Sequence, residues 1–156
     1  ISHLSEPESK SRAAGHFYLT RNNNKDMNNG SVVTLSKIIK HVMGSASESE
    51  VAALFYNCKA AIPLRLALQE MGHQQPKTPT ITDNKSAEGL INKTMTSKAS
   101  KNYDLRFNWL KCREAQQQFD LIWKKGSDNR AGFHSKDHPI KVYSEQRGNY
   151  VTAPAA

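Results

Sequence analysis

The sequence predicts a mixed α+β domain in which one sheet is flanked by helices. Strand-like runs fill the first forty residues, and the spacing of apolar residues changes to steps of three and four from about residue 51. Short apolar runs and helix-like segments then alternate along the chain. Consecutive strands followed by strand–helix–strand crossovers favour five strands in one mixed sheet, with the three leading strands antiparallel.

The three leading strands are predicted from runs of β-branched and aromatic residues. Residues 16–20 and 31–39 flank an Asn-rich loop that ends in Asn-Gly, which is the pattern of a β-hairpin. Residues 1–4 are interpreted as the remnant of an earlier strand, and residues 5–7 as the turn that ends it.

A long amphipathic helix is predicted next. Its apolar stripe recurs at steps of three and four and consists of Val51, Leu54, Phe55, Cys58 and Ile62. Ser47 and Glu50 fit a capping box at its start, with Glu48 one step out of phase and facing solvent. Pro63 is expected to kink or divide the helix, because proline removes a backbone donor, and Gly72 is expected to end it.

Strands and helices alternate in the second half of the chain. Residues 78–83 are predicted to form a strand, residues 85–91 a short helix, and residues 119–124 a last strand with one apolar face. A polar stretch and a second long helix, which carries Phe107 and Leu110 in its apolar stripe, are predicted between the short helix and the last strand.

The chain is expected to be one domain, because 156 residues is a common domain length. We assign residues 1–140 to the domain and residues 141–156 to a C-terminal tail. Residues 126–138 are predicted to be a turn with a short helix. Because the chain starts at Ile1 and not at Met, we expect it to be a fragment or a processed product.

The composition favours a polyanionic partner. The net charge is +8 and the pI is near 9.6, which favours nucleic acid ahead of an anionic membrane. The alternative is a soluble protein that is basic without binding a polyanion. Cys58 and Cys112 lack metal-ligand spacing and suit a reducing, intracellular compartment, the cytoplasm or the nucleus. No run approaches the roughly 20 apolar residues of a membrane helix, so no membrane partner is expected.

Five segments carry motifs in a recognisable order. They are residues 2–17 (Ser-His-Leu-Ser-Glu-Pro, then Ser-Arg-Ala-Ala-Gly-His-Phe), 45–54 (Ser-Ala-Ser-Glu-Ser-Glu-Val-Ala-Ala-Leu), 82–87 (Thr-Asp-Asn-Lys-Ser-Ala), 103–107 (Tyr-Asp-Leu-Arg-Phe) and 126–131 (Gly-Ser-Asp-Asn-Arg-Ala). Together they resemble the ribonuclease H domain of copia-type LTR retrotransposon reverse transcriptases. The resemblance implies a ribonuclease H-like fold over residues 1–140, with the first strand truncated at its N-terminus, and hydrolysis of the RNA strand of RNA·DNA hybrids.

The chemistry implied by the resemblance uses two divalent ions, Mg²⁺ or Mn²⁺, held about 4 Å apart by several carboxylates. The resemblance assigns Glu50, on the first helix, and Asp83, at a strand end, as catalytic and metal-binding residues. The residues alone also allow structural roles. Glu50 fits the capping partner of Ser47, and Asp83 fits the N-cap of the helix that follows it.

Two further carboxylates of the family have no counterpart in this chain. The first precedes the position of Ile1, and Gly132 stands where the fourth carboxylate is expected. Two carboxylates do not readily hold two Mg²⁺ ions, so we predict weak or no nuclease activity, with Mg²⁺ or Mn²⁺ as the cofactor of any activity. The alternative is a non-catalytic descendant that binds nucleic acid or protein through the same fold.

Basic residues are predicted to contact nucleic acid. They are Lys93, Lys98, Lys101, Lys111, Arg113 and Lys124. A hybrid duplex is recognised through its shape and backbone, which suits phosphate-binding lysines among polar residues. The alternative is a solvated basic surface. The expected partners are an RNA·DNA hybrid or another nucleic acid, and the remainder of a reverse transcriptase.

Overall fold

A computed structural model describes residues 1–20, 30–92 and 104–151 of the chain, and its class is mixed α+β, as the sequence predicts. The strands are β1 (Ser2–Glu6), β2 (Lys10–Phe17), β3 (Val33–Ile39), β4 (Thr78–Thr82) and β5 (Phe119–Trp123). The helices are α1 (Ala46–Glu70), α2 (Lys85–Ile91), α3 (Asp104–Ala115) and α4 (Ile140–Gln146). Short 3₁₀ turns lie at Pro7–Ser9, Gly126–Asp128, Arg130–His134 and Arg147–Asn149.

The five described strands form two sheets, so the prediction of one five-stranded sheet is wrong. β1, β2 and β3 form an antiparallel sheet, while β4 and β5 pair in parallel as a separate ribbon. The irregular backbone of β1 explains the separation. Its register against β2 shifts between Ser2 and Glu6, and Leu4 has a positive φ of 50°. The outer edge of β1 therefore lacks the regular row of donors and acceptors that a further strand needs.

β2 begins earlier than the sequence pattern indicates, at Lys10 and not at residue 16. It pairs with β3 in regular antiparallel register from Ser11 opposite Ile39 to Phe17 opposite Val33, which confirms the pairing of the second and third strands. The centre of β2 is Ala-Ala-Gly, residue types with low strand propensity. The loop predicted at 21–30 falls almost entirely outside the described residues.

Gly15 lets helix α1 approach β2 closely. A Cβ atom at this position would lie 2.0 Å from Oδ1 of Asn57, so the Asn57 side chain would have to shift to admit any side chain. The Asn57 side chain lies over the glycine and donates a hydrogen bond from Nδ2 to the carbonyl of Ala14, at 2.8 Å. The absence of a side chain at Gly15 therefore allows α1 to pack this closely on β2.

The N-terminal cap of α1 is formed by Ser45 and Glu48, so the predicted capping box of Ser47 and Glu50 is wrong. Ser45 is the N-cap, and its hydroxyl accepts a hydrogen bond from the backbone N–H of Glu48 at 3.1 Å. The Glu48 carboxylate accepts from the N–H of Gly44 at 2.8 Å. The helix thus starts two residues earlier than expected, and Glu50 is released from any capping role.

Pro63 does not divide α1, which continues without interruption to Glu70. The proline is exposed, so its ring faces solvent and the interior packing of the helix is preserved. The predicted stop at Gly72 is confirmed. This glycine adopts a φ of 87° and its N–H donates to the carbonyl of Gln69.

Helix α1 contributes to two hydrophobic clusters and thereby joins the two sheets. The larger cluster packs α1 against α2, α3 and β5 and includes Val51, Leu54, Cys58, Ala61, Ala87, Ile91, Phe107, Leu110, Phe119 and Leu121. The smaller packs the helix against β2 and β3 and consists of Ala13, Ile39, Met43, Ala52 and Ala53. The side of α1 between these clusters carries Glu50.

Helix α1 is also long and apolar enough to cross a membrane by length and composition alone. It has 25 residues and a mean hydropathy of 1.3 over its most apolar window. The core helices of soluble proteins meet the same criterion, and the clusters above include α1. The expectation of no membrane partner stays a prediction.

The segment after residue 138 returns to the domain. It begins with α4, and Tyr150 then stacks on Phe133 with ring centroids 4.5 Å apart. The Tyr150 hydroxyl donates a hydrogen bond to the carbonyl of Arg130 at 2.9 Å. The residues assigned to a tail therefore pack on the 3₁₀ turn Arg130–His134 as far as Tyr150.

Candidate functional site

Glu50 lies in the second turn of α1 and faces a crevice between the two sheets. Its side chain is 14% exposed. The crevice is lined by residues from α1, β2, β4 and the turn after β5, namely Ile1, Ala14, Glu50, Ala53, Leu54, Asn57, Ile81, Thr82, Asn129 and Ala131. The separation of the sheets leaves this space open at the N-terminal part of α1.

Asp83 directly follows β4 and is exposed at the carboxyl end of the parallel ribbon. It does not cap α2. Asn84 is the N-cap, and its Oδ1 accepts from the N–H of Ala87 at 3.0 Å. The Asp83 carbonyl accepts a hydrogen bond from Nε1 of Trp123 at 3.0 Å. The N-cap role considered for Asp83 is therefore wrong, and its carboxylate is available for other contacts.

The two carboxylates interact through their charge. Burial raises the pKa of Glu50 above its ordinary value, and the negative charge of Asp83 acts in the same direction. The α-amino group of Ile1, 3.7 Å from Oε1 of Glu50, and Lys136 oppose this shift. Asp83 directly follows Thr82, which lines the crevice, so Glu50 and Asp83 come from different elements and lie close enough for their charges to interact.

Ile1, Asn129 and Ala131 line this crevice, and they are close in sequence to the two positions where the resemblance implies further carboxylates. Gly132 belongs to the 3₁₀ turn Arg130–His134, whose neighbouring residues Asn129 and Ala131 line it. A Cβ atom at Gly132 would have no atom within 4 Å, so a side chain would fit there. A residue joined to the α-amino group of Ile1 would lie beside Glu50, given the 3.7 Å separation.

The residues present do not fit a pair of magnesium ions. Residues 1–20, 30–92 and 104–151 contain no group of three or more His, Cys, Asp or Glu side chains that could hold a metal ion. Two Mg²⁺ ions need several ionised oxygen ligands at one point. Burial raises the pKa of Glu50 and disfavours its charged form, so the crevice without a cation carries little negative charge at this position.

A buried hydroxyl network positions the start of α1 and was not predicted from the sequence. Ser11 and Ser49 are fully buried, and their hydroxyl oxygens are 3.1 Å apart. The Ser49 hydroxyl is also 2.8 Å from Nδ1 of His3, and Ser11 accepts from the N–H of Leu4. The network connects β1, β2 and α1 one residue before Glu50. The sequence does not show that the hydroxyls of Ser11, in β2, and Ser49, near the start of α1, form a hydrogen bond with each other.

Trp123 and Lys85 form a second feature beside Asp83 that sequence reasoning missed. Trp123 ends β5 and is 42% exposed, which is unusual for a large aromatic residue. Nζ of Lys85 lies 5.3 Å from the centroid of its ring. The sequence did contain a signal for this feature. Trp123 ends β5, the strand that pairs with β4, and Asp83 directly follows β4.

The predicted nucleic-acid-binding residues separate into two places. Lys111 and Arg113 are on α3, each within 5.1 Å of an aromatic ring centroid, Phe107 and Trp109 respectively. Lys124 directly follows β5, and its N–H donates to the carbonyl of Thr82 near Asp83. Lys111 and Arg113 are therefore on a different element from Lys124. The other three predicted residues, Lys93, Lys98 and Lys101, lie outside the described residues.

Comparison with protein families, with curated proteins and with solved structures found no match to this chain.

Proposed function

We propose that this chain is a ribonuclease H-like domain that binds RNA·DNA hybrid and hydrolyses it weakly or not at all. The observation that carries the proposal is that Glu50, which lines the crevice from α1, interacts through its charge with Asp83, which follows the crevice-lining Thr82 at the end of β4. Glu50 does not act as a capping partner at the start of α1, and Asp83 is not the N-cap of α2.

The surroundings of Asp83 suit a nucleic-acid strand. Trp123 offers an exposed aromatic edge, and Lys85 and Lys124 bring positive charge within the same region. A strand that approaches Asp83 would meet a cation for its phosphate and an aromatic surface for its sugar or base. Contacts of this kind do not require metal ions and would persist without catalysis.

Weak hydrolysis follows from the number and state of the carboxylates. Of the two carboxylates Glu50 and Asp83, Asp83 alone is exposed, the pKa of Glu50 is raised by burial, and Gly132 contributes no carboxylate. The crevice therefore presents too little negative charge to concentrate two Mg²⁺ ions. The same deficit favours the binding of a polyanion, because fewer carboxylates repel its phosphates.

Binding is tested by fluorescence anisotropy with a short labelled RNA·DNA hybrid and with a DNA duplex of the same sequence. We expect tighter binding of the hybrid at equal salt, weakened by Lys85→Gln. Lys141→Gln, which removes an equal charge from exposed helix α4, is the matched control and is expected to have no effect. Failure to bind hybrid at low salt, or equal effects of the two variants, would contradict the proposal.

Catalysis is tested by repairing the site. The repaired protein carries Gly132→Asp and an N-terminal extension whose last residue, before Ile1, is Asp. We expect it to gain Mg²⁺-dependent cleavage of the hybrid and measurable Mg²⁺ affinity by calorimetry, both lost again in Asp83→Asn. Cleavage by the unmodified chain at the rate of the repaired one, or a repaired chain with no gain in Mg²⁺ affinity, would refute the assignment of these positions.

A further inference from the structure

Three aromatic rings form a continuous ladder between α1 and α3. Phe55 packs edge-to-face against Tyr56, with centroids 5.6 Å apart, and against Trp109 of α3, at 5.1 Å. All three rings are partly buried. The ladder crosses from one helix to the other and gives this surface a rigid aromatic base.

A cation lies over each ring of the ladder. Lys37, from β3, is 4.8 Å from the centroid of Tyr56, and Arg106 is 5.9 Å from the same ring. Lys59 is 5.8 Å from Phe55, and Arg113 is 5.1 Å from Trp109. These distances are within the range of about 6 Å over which cation–π attraction is significant. Four positive groups from three elements are thus held in defined positions, and we call this surface the cationic face.

The charges of the cationic face are not neutralised by carboxylates within the described parts of the chain. Nη1 of Arg106 lies 4.0 Å from Sδ of Met43, and Arg113 donates to the amide oxygen of Gln116. Other cations of the chain are paired, since Lys77 lies 3.9 Å from Glu114 and Lys141 lies 3.8 Å from Glu145. The cationic face therefore retains its charge for an external partner.

The cationic face is on the opposite side of α1 from the crevice. Glu50 and Asn57 both line the crevice and so define one side of the helix. Phe55, Tyr56 and Lys59 are turned roughly 140° to 240° from Glu50 about the helix axis, given 3.6 residues per turn. A ligand on the cationic face would therefore not contact the carboxylates.

We propose that the cationic face is a second nucleic-acid-binding surface that holds a strand through its phosphates. Cations with preset positions lose less conformational freedom on binding than free lysines, and the guanidinium groups match the geometry of phosphate oxygens. The rings are covered by the cations and partly buried, so bases do not stack on them. Recognition at this surface is therefore independent of base sequence and does not rest on hybrid recognition at the crevice.

The test compares two variants that lose the same number of positive charges. One carries Lys37→Gln, Lys59→Gln and Arg106→Gln on the cationic face. The matched control carries Lys10→Gln, Lys77→Gln and Lys141→Gln, which removes cations that are already paired with carboxylates. Binding of labelled single-stranded RNA, single-stranded DNA and RNA·DNA hybrid is measured at several salt concentrations.

We expect the slope of log K against log salt to decrease by roughly 2 to 3 in the cationic-face variant, because each phosphate contact contributes about 0.7 to 0.9. The control variant should keep the slope of the unmodified chain. A separate variant that carries Lys37→Arg and Lys59→Arg keeps both positive charges and should keep this slope as well. Equal loss in the two triple variants would show an effect of net charge alone and overturn the proposal. The proposal would also be overturned if the cationic-face variant kept the slope of the unmodified chain, or if the unmodified chain bound polyglutamate of the same charge as tightly as nucleic acid.

Two further measurements keep the outcomes separate. Circular dichroism establishes that each variant is folded, and if the triple variant unfolds, Lys37→Gln alone is expected to lower the slope by about 0.7 to 0.9. Lys85→Gln, beside the crevice, should change the preference for hybrid and leave binding of single strands almost intact. Failure of the proposed function would therefore appear as a missing preference for hybrid, whereas failure of the cationic-face proposal would appear as an unchanged salt slope.

Discussion

Replacement of Gly15 by alanine tests the contact that places α1, and with it Glu50, against the first sheet. The new Cβ atom would lie 2.0 Å from Oδ1 and 2.9 Å from Cγ of Asn57. Asn57 would have to leave its position over β2 and give up the 2.8 Å hydrogen bond to the carbonyl of Ala14. Backbone strain is not involved, because the conformation of Gly15 is open to other residues.

The expected loss combines two terms. Overpacking of a tight contact costs about 1 to 3 kcal/mol, and the loss of a hydrogen bond costs roughly 0.5 to 1.5 kcal/mol. Gly15→Ala should therefore lower the free energy of unfolding by about 2 to 4 kcal/mol, measured by urea denaturation. For a chain of this length that corresponds to a decrease in Tm of several degrees.

A second substitution separates this clash from a general intolerance of change in β2. Asn57→Ala removes the two Asn57 atoms that the new methyl group would meet and leaves Cε2 of Phe17 at 2.9 Å, so the double variant should recover part of the overpacking loss. The two changes would then be strongly non-additive. If Gly15→Ala is as stable as the unmodified chain, or if the two losses simply add, the close approach of α1 to β2 is not as described.

Three further predictions concern the same elements. Because the pKa of Glu50 is raised in the folded state, the folded state binds more protons than the unfolded state between pH 4.5, the ordinary pKa, and the raised pKa. The stability of the protein should therefore fall as pH rises through this window. Thermal melts at a series of pH values measure this dependence, and Glu50→Gln should remove it. Ser45→Ala should cost about 1 kcal/mol in denaturant unfolding and Ser47→Ala less, whereas the reverse order would favour the other capping box. Burial raises the pKa of Cys58 to about 12 while Cys112 is exposed, so a thiol reagent followed by mass spectrometry should label only Cys112 in the folded protein; labelling of both would contradict the packing of α1.

Local periodicity predicted most elements of this fold. Strand β4, helix α2 and strand β5 lie within two residues of their predicted bounds, and Leu54 and Cys58 of the predicted stripe are buried. Such patterns are visible because each residue reports its own preference for an interior or exposed position. The limits of β2 were harder to predict, since its central Ala-Ala-Gly is selected by the helix above it and not by strand propensity.

The arrangement of the two sheets depended on features that no local pattern carries. A shift in the register of β1 and the positive φ of Leu4 separate strands that were expected to share one sheet. The true start of α1 was also hidden, because Ser45 and Ser47 are equally good caps on sequence grounds and only the packed helix selects between them.

The order of the residues is enough to state which carboxylates this chain possesses and that glycine occupies position 132, because these are properties of covalent structure. It also sets the net positive charge, which is a sum over residues. Packing in three dimensions decided that Glu50 lies in a crevice close enough to Asp83 for their charges to interact, that burial raises the pKa of Glu50, and that four cations gather on the far side of α1. These are properties of distance and desolvation, and they exist only once segments far apart in the chain are brought together.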